Sequence, residues 1–191
     1  MWYLLRMTPQ TSEPKDWWAP RGWAEEQALR VAQEVRRLRG SRSAQWLAGE
    51  TKQCGHEVTR SVIADLENGR RRYVTTAELT VLAAALQTAP IALLFPAPLD
   101  EQVWALPRLK MTRFMAAEEF CGNASGLASA DNMAALQLAR DIAAAKGTQR
   151  ALLMALDELG GHPANVVKTI RAELEQTARR IEKLEAERDG G

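Results

Sequence analysis

The 191-residue chain has room for one generous domain, or for a small domain with an accessory region, and its 46% hydrophobic content is enough for a core. Tyr and Phe number only two and three beside abundant alanine and leucine, a balance that favours an all-helical protein. A formal net charge of +1 is too small to point to nucleic acid by itself, and no run of about eighteen apolar residues calls for a membrane span.

Residues 1–23 hold four of the six tryptophans (Trp2, Trp17, Trp18, Trp23) among Pro9, Pro14, Pro20 and Gly22. Prolines at that density break a long helix, so 1–23 is expected to be an irregular N-terminal arm. Its start, Met1-Trp2-Tyr3-Leu4-Leu5-Arg6, is too short for a signal peptide, and a cytoplasmic, nucleoid-associated location is the expectation. A first helix is predicted from about Ala24 to Gly40, with Ala28, Val31, Ala32, Val35 and Leu38 on its buried face. Arg36, Arg37, Arg39 and Arg42 lie at its end or beyond, where they favour the helix dipole and can touch phosphate. Ser43 caps a second helix that buries Trp46 and Leu47.

The stretch from Val58 to Arg72 carries the most information. Thr59 caps a short helix, Asn68-Gly69 closes it, and Arg70, Arg71 and Arg72 follow at once. Ile63 and Leu66 face inward and leave Arg60, Ser61 and Asp65 outward. A helix with a polar outer face and a basic exit suits the major groove. From residue 30 to residue 72 ten Lys/Arg stand against five acids, a local excess of five. Such an excess fits a small DNA footprint, since each neutralised phosphate releases counterions, and it also fits an ordinary solvated helix face. A fourth helix is predicted to start near Thr75 or Thr76, with Glu78 completing a capping box and Leu79, Leu82, Ala83 and Leu86 inward.

The run Ile63, Leu66, Glu67, Asn68, Gly69, Arg70 resembles the third-helix signature of the Cro/repressor-type (XRE family) helix-turn-helix proteins. Leu47-Ala48 is similar to that family's second helix, Glu78-Leu79, Leu82-Ala83 and Leu86 to its fourth, and Pro90 to Pro96 to its short fifth. The resemblance covers residues 28–96, within a DNA-binding domain placed at 24–96. It implies a five-helix repressor-like fold that reads double-stranded DNA with the helix 59–68. Arg60 is then placed to bond guanine, Ser61 to donate or accept, Val62 to touch a thymine methyl, and Asp65 to accept from cytosine or hold Arg60. Arg70, Arg71 and Arg72 are assigned to phosphate; the backbone contact that many relatives make from the second helix with a Gln, here Ala44, is expected to be missing or supplied by Ser43, Gln45 or an arginine of the first helix. Glu67 is expected to hold an internal ion pair, with an arginine of the first helix as candidate. The spacing from Leu47 to Glu67 is about five residues longer than the family pattern, which implies a longer second helix and a wider turn at 52–57.

Pro96, Pro98 and Pro107 mark a linker, and 97–128 shows packable residues without a dominant period. Residues 129–191 read as a helical dimerisation or partner-binding region. A first helix there spans Ser129 to Leu159, with Gly147 expected to interrupt it, and Gly160-Gly161-His162-Pro163 is a break. The last helix places Val167, Ile170, Leu174, Thr177, Ile181 and Leu184 at alternating steps of three and four, a short coiled-coil-like seam. That seam can pair two copies or fold back on the helix before it. Homodimerisation through Val167, Ile170, Leu174, Ile181 and Leu184 is the expectation, because family relatives generally bind two half-sites.

Cys54 and Cys121 form no CxxC pair, and His56 and His162 are far apart, so neither a metal nor another cofactor is expected. No nucleophile–base pair, paired carboxylates or phosphate loop is visible, and an enzyme is not expected. The sequence reading is therefore a transcriptional regulator, with repression favoured. A phage immunity repressor, or an antitoxin whose C-terminal helices cap a protein partner, are the alternatives.

Overall fold

The computed structural model describes residues 19–124, 126–158 and 164–190, and these form a mostly helical protein. Among the described residues there are eight helices and one open two-stranded hairpin. They fall into two compact units that divide between Cys121 and Gly122.

The first unit begins with α1 (Trp23–Arg39), which carries Glu25 and Glu26 in its first turn and Arg36, Arg37 and Arg39 in its last, the charge order its dipole favours. In α2 (Ala44–Gln53) the cap is Ser43, whose hydroxyl accepts from Trp46 N at 3.0 Å. Thr59 caps α3 (Arg60–Glu67) by accepting from Val62 N. A full capping box of Thr75 and Glu78 opens α4 (Thr76–Ala85), and Pro90 occupies the first turn of α5 (Pro90–Leu94). The apolar positions of these helices meet in one core, where Val35, Leu47, Ile63, Leu82 and Leu93 are wholly buried. Each such side chain contributes about 1.5–3 kcal/mol of transfer free energy.

The segment without a dominant period folds as β1 (Gln102–Leu106) and β2 (Leu109–Thr112), joined across Pro107-Arg108 and followed by α6 (Arg113–Cys121). The strands are antiparallel, with a register irregularity between Trp104 and Leu106. Only Val103 of β1 points fully into the core, which is why alternation is faint in the sequence. The hairpin is tied back to α1 by the Trp23 indole, whose Nε1 donates to the Trp104 carbonyl at 2.9 Å. Of the expected arm, residues 1–18, with Trp2, Trp17 and Trp18, lie outside the described residues, while Trp23 already opens α1.

The second unit is a helical pair, α7 (Ala130–Glu158) and α8 (Ala164–Gly190). Contrary to expectation, α7 runs unbroken through Gly147. A single helix glycine costs only about 1 kcal/mol relative to alanine, and the turns on either side outweigh it. The expected break at 160–163 lies outside the described residues. On α8 the seam is the sheltered face: Ile181 is buried and Val167, Ile170, Leu174, Thr177 and Leu184 are half-buried. With α7 packed beside α8 and Lys146 paired to Glu185 at 2.6 Å, this seam is engaged within the chain. Thr177 fits there because its hydroxyl donates to the Glu173 carbonyl one turn back, at 2.8 Å. No helix of the described residues is long and apolar enough to cross a membrane.

Candidate nucleic-acid interface

The geometry of α3 is fixed from beneath and from both ends. Ile63 and Leu66 anchor it in the core, and Val62 packs half-buried against the same cluster. Arg60 and Ser61, the first two residues of the helix, are both exposed. The Ser61 hydroxyl lies 3.0 Å from that of Thr59, so its orientation is already constrained by the cap. Asp65, the fourth of the expected base-facing residues, is 43% exposed and reaches Arg70 at 3.4 Å rather than holding Arg60.

Behind α3, Glu67 and Arg39 form a two-pronged ion pair, with Nε to Oε1 at 2.7 Å and Nη2 to Oε2 at 2.6 Å. Both side chains are largely sheltered, and the hydrogen bonds to Glu67 hold the Arg39 guanidinium above its ordinary pKa. This is the ion pair to a first-helix arginine that the sequence suggested for Glu67. It fixes the angle of α3 against α1, because a fork-to-fork bond tolerates little rotation.

The wide turn between α2 and α3 is organised by a residue the sequence reading passed over. Thr51 is wholly buried; its Oγ1 donates to the Ala48 carbonyl and accepts from Val58 N, each at 2.9 Å. Gly55, at φ 92°, closes α2 with the paired bonds Gly55 N to Lys52 O and His56 N to Thr51 O. The signal for Thr51 was present: it stands four residues after the buried Leu47, on the same helix face.

The three arginines after α3 diverge. Arg70 is 74% exposed and, among the described residues, makes only the long contact to Asp65. Arg71 turns inward, donates to both carboxylate oxygens of Glu78 at 2.6 and 3.0 Å, and lies over the Tyr73 ring at 4.3 Å. Burial opposes the Arg71 charge, but the Glu78 hydrogen bonds outweigh it and raise its pKa. Arg72 pairs with Glu25 of α1 at 2.7 Å. Arg42 is likewise drawn into the fold, donating to the Leu38 and Arg39 carbonyls that end α1 and stacking 3.9 Å from the Trp46 ring. At the start of α2, Ser43 and Gln45 are exposed; the Ser43 oxygen serves the cap and leaves its O–H free to donate.

Arg60, Ser61, Gln45, Ser43 and Arg70 are each exposed on or beside short helices with a packed core, while Arg39, Arg71 and Arg72 hold the scaffold. Among the described residues there is no disulfide: Cys54 is exposed and Cys121 half-buried. No family model, no curated protein and no solved structure matches this chain.

Proposed function

We propose that the chain is a sequence-specific DNA-binding transcriptional regulator of the Cro/repressor (XRE) kind, acting as a repressor and reading the major groove with α3. One observation carries the reading. The N-terminal turn of α3 exposes Arg60 and Ser61 while Ile63 and Leu66 lock the opposite side of the same eight-residue helix into the core. A short helix held rigidly with a cation and a hydroxyl at its outward N-terminal end meets the geometric need of base readout. Arg70 at its exit and Ser43 with Gln45 across the turn supply positions for phosphate contacts. Arg71 and Arg72 enter this reading as scaffold, since their guanidinium groups are engaged with Glu78 and Glu25. Binding to two half-sites as a homodimer belongs to the same proposal. The dimer contact would then use a face of the α7–α8 pair other than the seam of α8.

The test is selection from a random duplex library, followed by titrations at several salt concentrations. Arg60→Ala should relax preference at one base pair by roughly 1–3 kcal/mol. Arg70→Ala should weaken all sequences alike and reduce the salt slope by about 0.9. Absence of any enrichment at low salt would sink the proposal.

A further inference from the structure

A cleft of about 310 Å³ lies in the first unit between α1 and the hairpin, and its lining is electrostatically one-sided. Arg30, Lys110 and Arg113 contribute three cations to the wall, and Glu26 the single carboxylate. Glu101 pairs with Arg113 at 2.7 Å but is not part of the lining. The two arginines are held in place by backbone acceptors, Arg30 Nε by the Leu94 carbonyl at 3.2 Å and Arg113 Nη1 by the Pro96 carbonyl at 3.1 Å. Among the described residues each nevertheless has a buried nitrogen without a hydrogen-bond partner, Nη2 of Arg30 and Nε of Arg113. Burial pushes the Arg30 guanidinium below its ordinary pKa; Glu26 opposes this and the like charge of Arg113 adds to it. Lys110 stands opposite Trp104 in the hairpin register, with its Nζ 5.7 Å from the indole ring centre, so an aromatic wall adjoins the cations.

With Glu26 in the wall and Glu101 set against Arg113, one positive charge of the three is left unmatched, and an acceptor with negative charge offsets it. The volume is at the small end of the range for ligand pockets. We propose that this cleft binds a small anion, carboxylate or phosphate in kind, held by Arg30, Lys110 and Arg113. The proposal rests on no feature of α3 and stands or falls independently of DNA binding. Because the ligand would bridge α1 to β2, it would fasten the hairpin to the helix that also carries Arg39.

The experiment is isothermal titration of the full chain with succinate and, separately, with inorganic phosphate, against sodium chloride at matched ionic strength. Saturable one-to-one binding of either anion is expected, and which anion binds tells the carboxylate source from the phosphate source. Lys110 is exposed on β2, so Lys110→Gln leaves the fold intact and should weaken binding about tenfold. Glu26→Gln removes the only acid of the wall and should tighten binding about threefold. Opposite responses of these two variants are what a cleft site requires. No saturable heat with either anion, or binding that neither variant alters, overturns the proposal.

Discussion

The two units bury their apolar residues in different ways. In the first, six helices and a hairpin enclose a continuous cluster that runs from Val31 to Ala116, with Leu47, Ile63 and Leu82 wholly inaccessible. In the second, two helices of 29 and 27 residues shelter only Ile142, Ala145 and Ile181 fully, and leave Leu136, Leu153 and Met154 about half exposed. A core needs side chains approaching from several directions, and two helices offer one line of contact. The lesson is that helix length is a poor guide to stability here. The 8-residue α3 is pinned by tertiary packing, whereas α7 and α8 rely more on propensity and on a narrow seam.

That contrast can be broken by a matched pair of truncations. Leu82→Ala in α4 should cost roughly 2–5 kcal/mol, because its wholly buried site cannot collapse without moving α2 and α5. Ile181→Ala in α8 should cost less, about 2 kcal/mol, since a seam between two helices can close or admit water. Hydrogen exchange resolved along the chain is the measurement. Wild-type amides of α7 and α8 should exchange sooner than those of α1 and α4, and Leu82→Ala should lower protection only across 23–121. Equal costs, or loss of protection spreading through both units, would show that the contrast is not energetic.

The polar frame of the first unit sharpens the comparison at acid pH. Burial pushes the Glu78 carboxyl up, but the Thr75 backbone N–H, the Arg71 guanidinium and the Thr75 hydroxyl together hold it below its ordinary value of 4.5. A carboxyl depressed in the folded state adds stability that is full above that ordinary value and is lost as pH falls through the folded one. Glu78→Gln should therefore cost about 1.5–3 kcal/mol at pH 7, the worth of hydrogen bonds to a charged group. The cost should shrink toward pH 3. Chemical denaturation of both proteins across that range reads the difference, and a cost that does not change with pH would refute the role of the Glu78 charge. Nothing of this size is expected from the exposed Arg179–Glu175 pair of α8, where the atoms are 3.8 Å apart.

Legibility in the sequence followed the same division. The caps Ser43, Thr59 and the Thr75–Glu78 box were readable because capping is local chemistry, decided within three or four residues. The inward face of α1 was readable from its period, and Glu67 was readable as an ion-pair acid. The hairpin was not, because Val-Trp-Ala-Leu and Leu-Lys-Met-Thr are short runs whose strand character comes from docking on α1 through Trp23. The pattern that could have revealed it was two apolar runs separated by the two residues Pro107-Arg108. At the candidate interface the outward residues of α3 were legible by helical geometry. The separate fates of Arg70, Arg71 and Arg72 were not, because Glu78 and Glu25, which engage two of them, come from other helices.

The smallest effect concerns the end of α4, where Gln87 adopts φ 56° in a position that favours glycine. Its N–H donates to the Ala84 carbonyl at 3.0 Å and the next N–H, of Thr88, to the Ala83 carbonyl at 2.9 Å, so the left-handed residue is what lets the last turn satisfy its acceptors. A Cβ in that region is strained by roughly 1–2 kcal/mol, and glycine removes the strain while adding freedom to the unfolded chain. The two terms oppose, and strain is the larger, so Gln87→Gly should stabilise the first unit by about 0.5 kcal/mol. Gly55, at φ 92° after α2, gives the converse, and Gly55→Ala should destabilise by about 1 kcal/mol for want of the same conformation. Gln87 is exposed, so no lost packing obscures the sign. Were Gln87→Gly destabilising in a urea titration, unfolded-state entropy would outweigh backbone strain at this cap, and the close of α4 would be held by the surrounding core rather than by its own turn.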